Sequence, residues 1–258
     1  MVHRRPRWAD TAPAIRVGCA GWTLPGHVAA SFHGAGSHLE RYARVFPSVE
    51  INSSFYRPHQ PKTYERWAAS VPEAFRFSVK MPKVISHELR LQGADVALRQ
   101  FLEEITPLGE KLGCLLLQLP PSLRFDPLTA RAFFSLLRNL TSVRVACEPR
   151  HATWFTEEAR QAMNEAAVAC VLADPAPVPD ASPLGDSGTL YLRLHGTPRI
   201  YFSAYDETFL DALAEQVTWL AEPGREIWCM FDNTAHGAAV PDALMLMDKL
   251  GARARPQG

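Results

Sequence analysis

What most constrains this chain is a rhythm that runs along nearly its whole length. A short, almost entirely apolar segment is followed by one whose apolar residues recur at helical spacing. The apolar segments are residues 15–21 (IRVGCAG), 48–55 (SVEINSSF), 75–81 (FRFSVKM), 112–119 (LGCLLLQL), 143–148 (VRVACE), 169–174 (ACVLAD), 190–196 (LYLRLHG) and 226–233 (EIWCMFDN). Between them lie helical faces such as Leu39, Tyr42, Ala43 and Phe46, or Phe133, Leu136, Leu137 and Leu140. Strands that are apolar on both faces belong in a parallel sheet covered by helices. Eight such units predict an α/β fold, a single (β/α)₈ TIM barrel. The sixth helix is expected to be short or replaced by a loop, because residues 175–188 carry four prolines and no helical period. An open doubly wound sheet would use the same alternation, but the first strand lacks a G-x-G-x-x-G turn and no P-loop occurs.

The length of 258 residues suits one barrel domain, predicted over 15–251, between an N-terminal arm (1–14) bearing Arg4, Arg5 and Arg7 and a C-terminal tail (252–258). Lys plus Arg and Asp plus Glu both number 27, so no net charge attracts nucleic acid or an anionic membrane over distance. Any affinity for anions must be a local arrangement. No apolar run reaches the length of a membrane span and no secretion signal opens the chain, so a cytoplasmic protein is expected. Cys19, Cys114, Cys147, Cys170 and Cys229 each fall in an apolar run, as small buried hydrophobes do, and show no metal-knuckle spacing.

Barrel chemistry sits at the carboxyl ends of the strands, and here nearly every strand ends polar after an apolar body. The rim candidates are Trp22, Glu50, Asn52, Phe55, Tyr56, Lys80, His87, Gln118, Glu148, Arg150, His151, Asp174, Arg193, His195, Asp232 and Asn233. Strand parity puts Glu50 with Asn52, and Arg193 with His195, on shared faces, which a charged residue can occupy comfortably only toward the barrel mouth. One reading is a closed ion network that fills the barrel top without chemistry. The other is a site. Loops 195–199 and 232–237, after the seventh and eighth predicted strands, hold the glycines, hydroxyls and arginine that suit a phosphate. Asn233-Thr234 is equally an ordinary helix N-cap. A divalent metal could use Glu50, Glu148, Asp174, Asp232, His151 or His195, but Arg150 and Arg193 nearby oppose a cation, and no cofactor is predicted.

The motifs V-E-I-N-S-S-F-Y (49–56), F-x-F-S-V-K (75–80), L-x-Q-L-P-P (116–121), E-x-R-H-x-x-W (148–154), R-L-H-G (193–196) and F-D-N-T (231–234), after an opening G-C-A-G-W (18–22), resemble the YecE-like family, domain of unknown function 72. The resemblance covers nearly the whole chain. It implies a TIM barrel and no known reaction, and its motif residues fall on Trp22, Glu50, Asn52, Tyr56, Lys80, Gln118, Glu148, Arg150, His151, Trp154, Arg193, His195 and Asn233. Two departures stand out: no second aromatic follows Trp22 within residues 23–27, and Pro149 replaces a customary aromatic.

The leading functional expectation is an enzyme acting on a small anionic or phosphorylated substrate at the rim. Lys80, Arg150 and Arg193 would hold the anion, Glu148 would serve as general base or acid, and His195 as its proton-transfer partner. Trp22, Glu50, Asn52, Tyr56, Gln118 and Asn233 complete the expected binding set. The alternatives are a nucleic-acid-binding or repair-associated barrel and a non-catalytic ligand- or partner-binding barrel.

Overall fold

The computed structural model describes residues 14–178 and 188–253. Among them the strands are β1 (Ala14–Cys19), β2 (Ser48–Ile51), β3 (Arg76–Lys80), β4 (Leu112–Gln118), β5 (Arg144–Glu148), β6 (Val168–Cys170), β7 (Leu172–Asp174), β8 (Thr189–Leu194) and β9 (Glu226–Phe231). The helices are α1 (His38–Ala43), α2 (Pro61–Ala69), α3 (Asp95–Ile105), α4 (Pro127–Leu140), α5 (Glu157–Glu165), α6 (Glu207–Leu220) and α7 (Ala239–Arg253). Strands β6 and β7 are two halves of one stave, interrupted at Val171, so the nine segments make the eight staves of the expected TIM barrel. No helix follows β7 over residues 175–178, and the rest of the proline-rich segment lies outside the described residues.

Local sequence accounts for the helix starts. The Ser37 hydroxyl and Glu40 carboxylate cap α1 reciprocally, while Asp126, Thr156 and Asp206 each accept a backbone N–H in the first turn of α4, α5 and α6. Pro61 and Pro127 open α2 and α4, where a missing N–H costs nothing. The second strand is shorter than expected. It ends at Ile51, and residues 53–55 form a 3₁₀ turn. Asn52 has helical dihedrals, so the strand parity that would have put it beside Glu50 does not apply.

All strand pairings are parallel. They form two sheets, ordered β1-β9-β8-β7 and β2-β3-β4-β5-β6, that meet at two seams. At one seam the chain itself runs from β6 into β7, with Val171 N–H bonded to the Cys147 carbonyl. At the other, Ala20 bridges Glu50 and Gly21 N–H donates to the Glu50 carbonyl. Buried Tyr42 locks this second seam, because its hydroxyl accepts from Cys19 N–H (2.9 Å) and donates to the Ser48 carbonyl (3.0 Å).

Outward positions such as Val79, Leu115, Leu117, Val145, Leu192 and Ile227 pack on the helices in one large core. Inward positions Cys114, Leu116, Ala146, Ala169, Val171, Tyr191, Trp228 and Met230 form a separate inner cluster. All five cysteines are free and buried. Large inner residues come from β8 and β9, and they are matched by Gly18, Ser48 and Ser78 on β1 to β3. Below the inner cluster Glu226 pairs with Arg16 and Arg144. Above it, the inward positions turn ionic.

Gly18 is required by the seam, since a Cβ there would lie 2.3 Å from the Ser48 carbonyl oxygen. Gly18→Ala is expected to cost about 1–3 kcal/mol of stability by overpacking. Gly26→Ala, with open space around it, should be close to neutral. Urea denaturation of the two variants checks this, and equal stability would show that the seam tolerates displacement.

Candidate functional site

The upper end of the barrel is organised by Arg193 on β8, which is fully buried. Its Nε and Nη2 donate to the two oxygens of Glu50 (3.0 and 2.7 Å), and its Nη1 donates to Glu148 Oε2 (3.0 Å) and Gln118 Oε1 (3.3 Å). Asp232 Oδ2 lies 3.0 Å from Nη2. Tyr191, two residues before Arg193 on the same face, places its hydroxyl 2.9 Å from Glu50 and 2.8 Å from the Ser78 hydroxyl. Strands β2, β3, β4 and β5 each deliver one member by parity, β8 delivers Tyr191 and Arg193, Asp232 follows β9, and every donor edge of Arg193 is engaged. Arg193, expected among the ligand-binding residues, spends its donors on protein groups. It sits beneath the mouth and arranges the acids there.

Above this layer lies a chain of carboxylate, imidazole and carboxylate. His195 Nδ1 is 3.0 Å from Asp232 Oδ2, and its Nε2 is 2.8 Å from Glu148 Oε1. Carboxylates on both ring nitrogens favour two N–H groups, an imidazolium, against the opposing Arg150 guanidinium 3.0 Å from Nε2. Burial pulls the His195 pKa down, but the bonds to Asp232 and Glu148 outweigh it and raise it above the ordinary value. Burial likewise pushes the Glu148 carboxyl up, yet Arg193, the His195 bond and Arg150 together hold it well below the carboxylate range. Asp232 is lowered in the same way, with Arg193 and His195 overcoming burial. Glu148 is therefore a firmly ionised acceptor, and the two carboxylates favour the protonated form of His195 between them.

Arg150, just past β5, puts Nη2 2.7 Å from Glu148 Oε1 and 3.0 Å from His195 Nε2. Its Nε is buried without a partner. Lys80 at the end of β3 is buried, with its ammonium 4.2 Å from the centre of the Phe55 ring. Burial, then Arg193, pull the Lys80 amine down to about 8 against the opposing pull of Glu50, Asp232 and Glu148. Tyr201 lies edge-on to His195 at 5.7 Å and is partly exposed.

The remaining candidates lie apart from this network. Trp22 packs edge-on against Trp67 at 5.0 Å, and Tyr56 is 68% exposed beside Phe55. The side-chain amide oxygen Oδ1 of Asn52 is buried and unpaired. Asn233 is buried but donates to Ser203 O and Asp242, tying the β8–α6 loop to α7, so it is not the N-cap of α7, which begins at Ala239. The loop donors expected to cradle phosphate are engaged internally. Gly196 N–H bonds Tyr205, Thr197 bonds Asp174, Ala235 N–H bonds the Tyr201 carbonyl, and Arg199 lies over Phe202. His151 bonds Thr153, and His87 meets Phe55 edge-on at 5.0 Å. Among the described residues no three of His, Cys, Asp and Glu converge to hold a metal ion. No helix among them is long and apolar enough to cross a membrane.

Sequence reasoning missed Tyr191, Ser78 and Tyr201, and it placed Asp232 on the rim without a binding role. Parity would have found two of these, because Tyr191 precedes Arg193, and Ser78 precedes Lys80, by two residues. Tyr201, on a loop with positive φ of 72°, left no sequence signal.

Fold and site define a TIM barrel whose mouth is closed from below by an ion network and carries surplus positive charge above it. The chain matches the family described as "Protein of unknown function DUF72" over residues 16–257, and it belongs to that family. It is 32% identical over 175 residues to the UPF0759 protein YecE of Escherichia coli K12, an alignment that covers 66% of this chain and spans 62% of that relative's length. A crystal structure of a DUF72 family protein from Enterococcus faecalis superposes with a TM-score of 0.78 at 23% identity, over 92% of this chain and 95% of that one. A xylose isomerase-like TIM barrel/4-hydroxyphenylpyruvate dioxygenase fusion protein is similar in fold alone, with a TM-score of 0.51 at 16% identity, over 94% of this chain and 42% of that one.

Two outcomes follow from the network. Arg193→Met leaves buried Glu50 without an ion-pair partner among the described residues, removes one partner each from Glu148 and Asp232, and is expected to cost about 3–5 kcal/mol at neutral pH. That cost should shrink as pH falls and the acids protonate, as denaturation at pH 7 and pH 4.5 would show. For His195, a raised folded pKa gives stability that is complete below its ordinary 6.5 and lost as pH rises through the folded value. Imidazole NMR should find His195 doubly protonated at pH 7, and a neutral tautomer there would refute the assignment.

Proposed function

We propose that this barrel is an enzyme that binds a small anionic substrate at its mouth and uses the His195–Glu148 pair for proton transfer. The charge balance carries the reading. Glu50, Glu148 and Asp232 are three anions, matched by Arg193, Arg150 and the His195 imidazolium. Lys80 then stands as one positive charge too many, in a buried place. Surplus buried charge is costly unless something pairs with it, and a bound anion would do so. The unpaired Nε of Arg150 supplies a donor at the same end of the barrel.

His195, held between two carboxylates, can give a proton to a substrate atom while Glu148 and Asp232 keep the ring oriented. Glu148 becomes a usable base only if a substrate anion draws Arg150 away from it. The same arrangement speaks for a compact ligand rather than a nucleic acid, whose phosphates need cations spread over an exposed face.

Thermal denaturation with phosphate, phosphorylated metabolites and small carboxylates tests the reading. A ligand at about a hundred times its Kd should add about 2.7 kcal/mol, and hence raise Tm by several degrees. Arg150→Met should abolish that rise while the protein remains folded. If no anion raises Tm, or if the variant responds as the wild type does, the proposal falls.

A further inference from the structure

Of the five lysines in the chain, four have ordinary surroundings. Lys83 pairs with Glu88, Lys249 with Glu207 and Asp211, Lys111 donates to the Ala68 and Val71 carbonyls, and Lys62 is exposed. Lys80 is different. It is buried at the barrel mouth, and among the described residues no carboxylate lies within ion-pair distance of its ammonium. Its ammonium lies over the face of Phe55, 4.2 Å from the ring centre. An anion clamp would be better served by a guanidinium. What an amine offers and a guanidinium does not is a neutral, nucleophilic form near physiological pH.

We infer that Lys80 is a covalent nucleophile that forms an imine with a small oxo acid, its ε-nitrogen attacking an aldehyde or ketone carbon while Arg150 holds the neighbouring anionic group. This rests on the anion-binding reading above and names its substrate class. The low basicity of the amine, about 8, fits the role. The charged groups acting on it are Arg193, which opposes its proton, and Glu50, Asp232 and Glu148, which favour it, while His87 meets Phe55 edge-on at 5.0 Å. In the step, the neutral amine forms a C–N bond as the carbonyl π bond breaks and one N–H proton passes to the carbonyl oxygen. The carbinolamine then breaks its C–O bond and releases water, its hydroxyl taking a proton from His195 or solvent, while the nitrogen lone pair completes the C=N bond of a protonated imine. No oxidant is needed.

The test uses the full chain at pH 8 with pyruvate, glyoxylate or dihydroxyacetone phosphate in the presence of borohydride, followed by peptide mass spectrometry. The expected result is an adduct at Lys80, heavier by the mass of the probe less one oxygen atom, that is absent in Lys80→Arg. Lys80→Met, which removes an unpaired buried cation and is expected to fold, should lack it as well. Lactate, a carboxylate without the carbonyl, should give no adduct, and its effect on Tm reports the anion site separately. Competitive acetylation across pH should show Lys80 reacting with a midpoint near 8, far below the surface lysines. Absence of a Lys80 adduct with all three probes, or equal marking of the surface lysines, overturns the inference even if lactate binds. A Lys80 adduct with no effect of any anion on Tm keeps the nucleophile and discards the anion reading.

Discussion

The structure depends on one side chain more than on any other. Arg193 is a guanidinium without solvent, and it is stable there because Glu50, Glu148, Asp232 and Gln118 arrive from four other staves at hydrogen-bonding or ion-pair distance. Planar and always charged, it satisfies several acids at once, which an ammonium could not do. Take it away and the acids repel one another in a low dielectric. With it in place, they fix where His195 and Arg150 stand.

That arrangement has a chemical meaning. Ion pairs on this scale are poor sources of net stability, since desolvation offsets most of the attraction, but they fix geometry. Here they hold an imidazole between two carboxylates and leave an arginine edge and an amine without partners. The polarity of the mouth is therefore in two layers, one closed and one open. The open layer is where a ligand can gain what the protein itself leaves unmade.

Much of this was legible in the sequence. The eight apolar runs gave the barrel because a stave buried on both faces has no other home, and the polar ends of the runs pointed to Glu50, Lys80, Gln118, Glu148, Arg150, Arg193 and His195. Parity failed at Asn52, where the strand had already ended. It could not distinguish Arg193, wholly engaged, from Arg150, half free, because that difference lies in how many acids converge and not in the residue itself. In the loops read as suited to phosphate, Gly196 N–H serves Tyr205 farther along the same loop and Thr197 serves Asp174 at the end of β7, partners that the local pattern does not reveal. Tyr201 approaches His195 only through a backbone turn that no local pattern announces.

The split of the barrel into two sheets has a consequence for assembly. The sheet β2-β3-β4-β5-β6 joins neighbours in the chain and can pair as they emerge, whereas β1-β9-β8-β7 unites the first strand with the last ones. The sequential sheet carries Glu50 and Glu148. The other carries Arg193, His195 and Asp232. The half that can form early holds Glu50, whose ion-pair partner Arg193 arrives only when the late half docks, while Glu148 already has Arg150 beside it, so closing the barrel and neutralising Glu50 are one event. A chain cut short before β8 would therefore hold a sheet with Glu50 stranded.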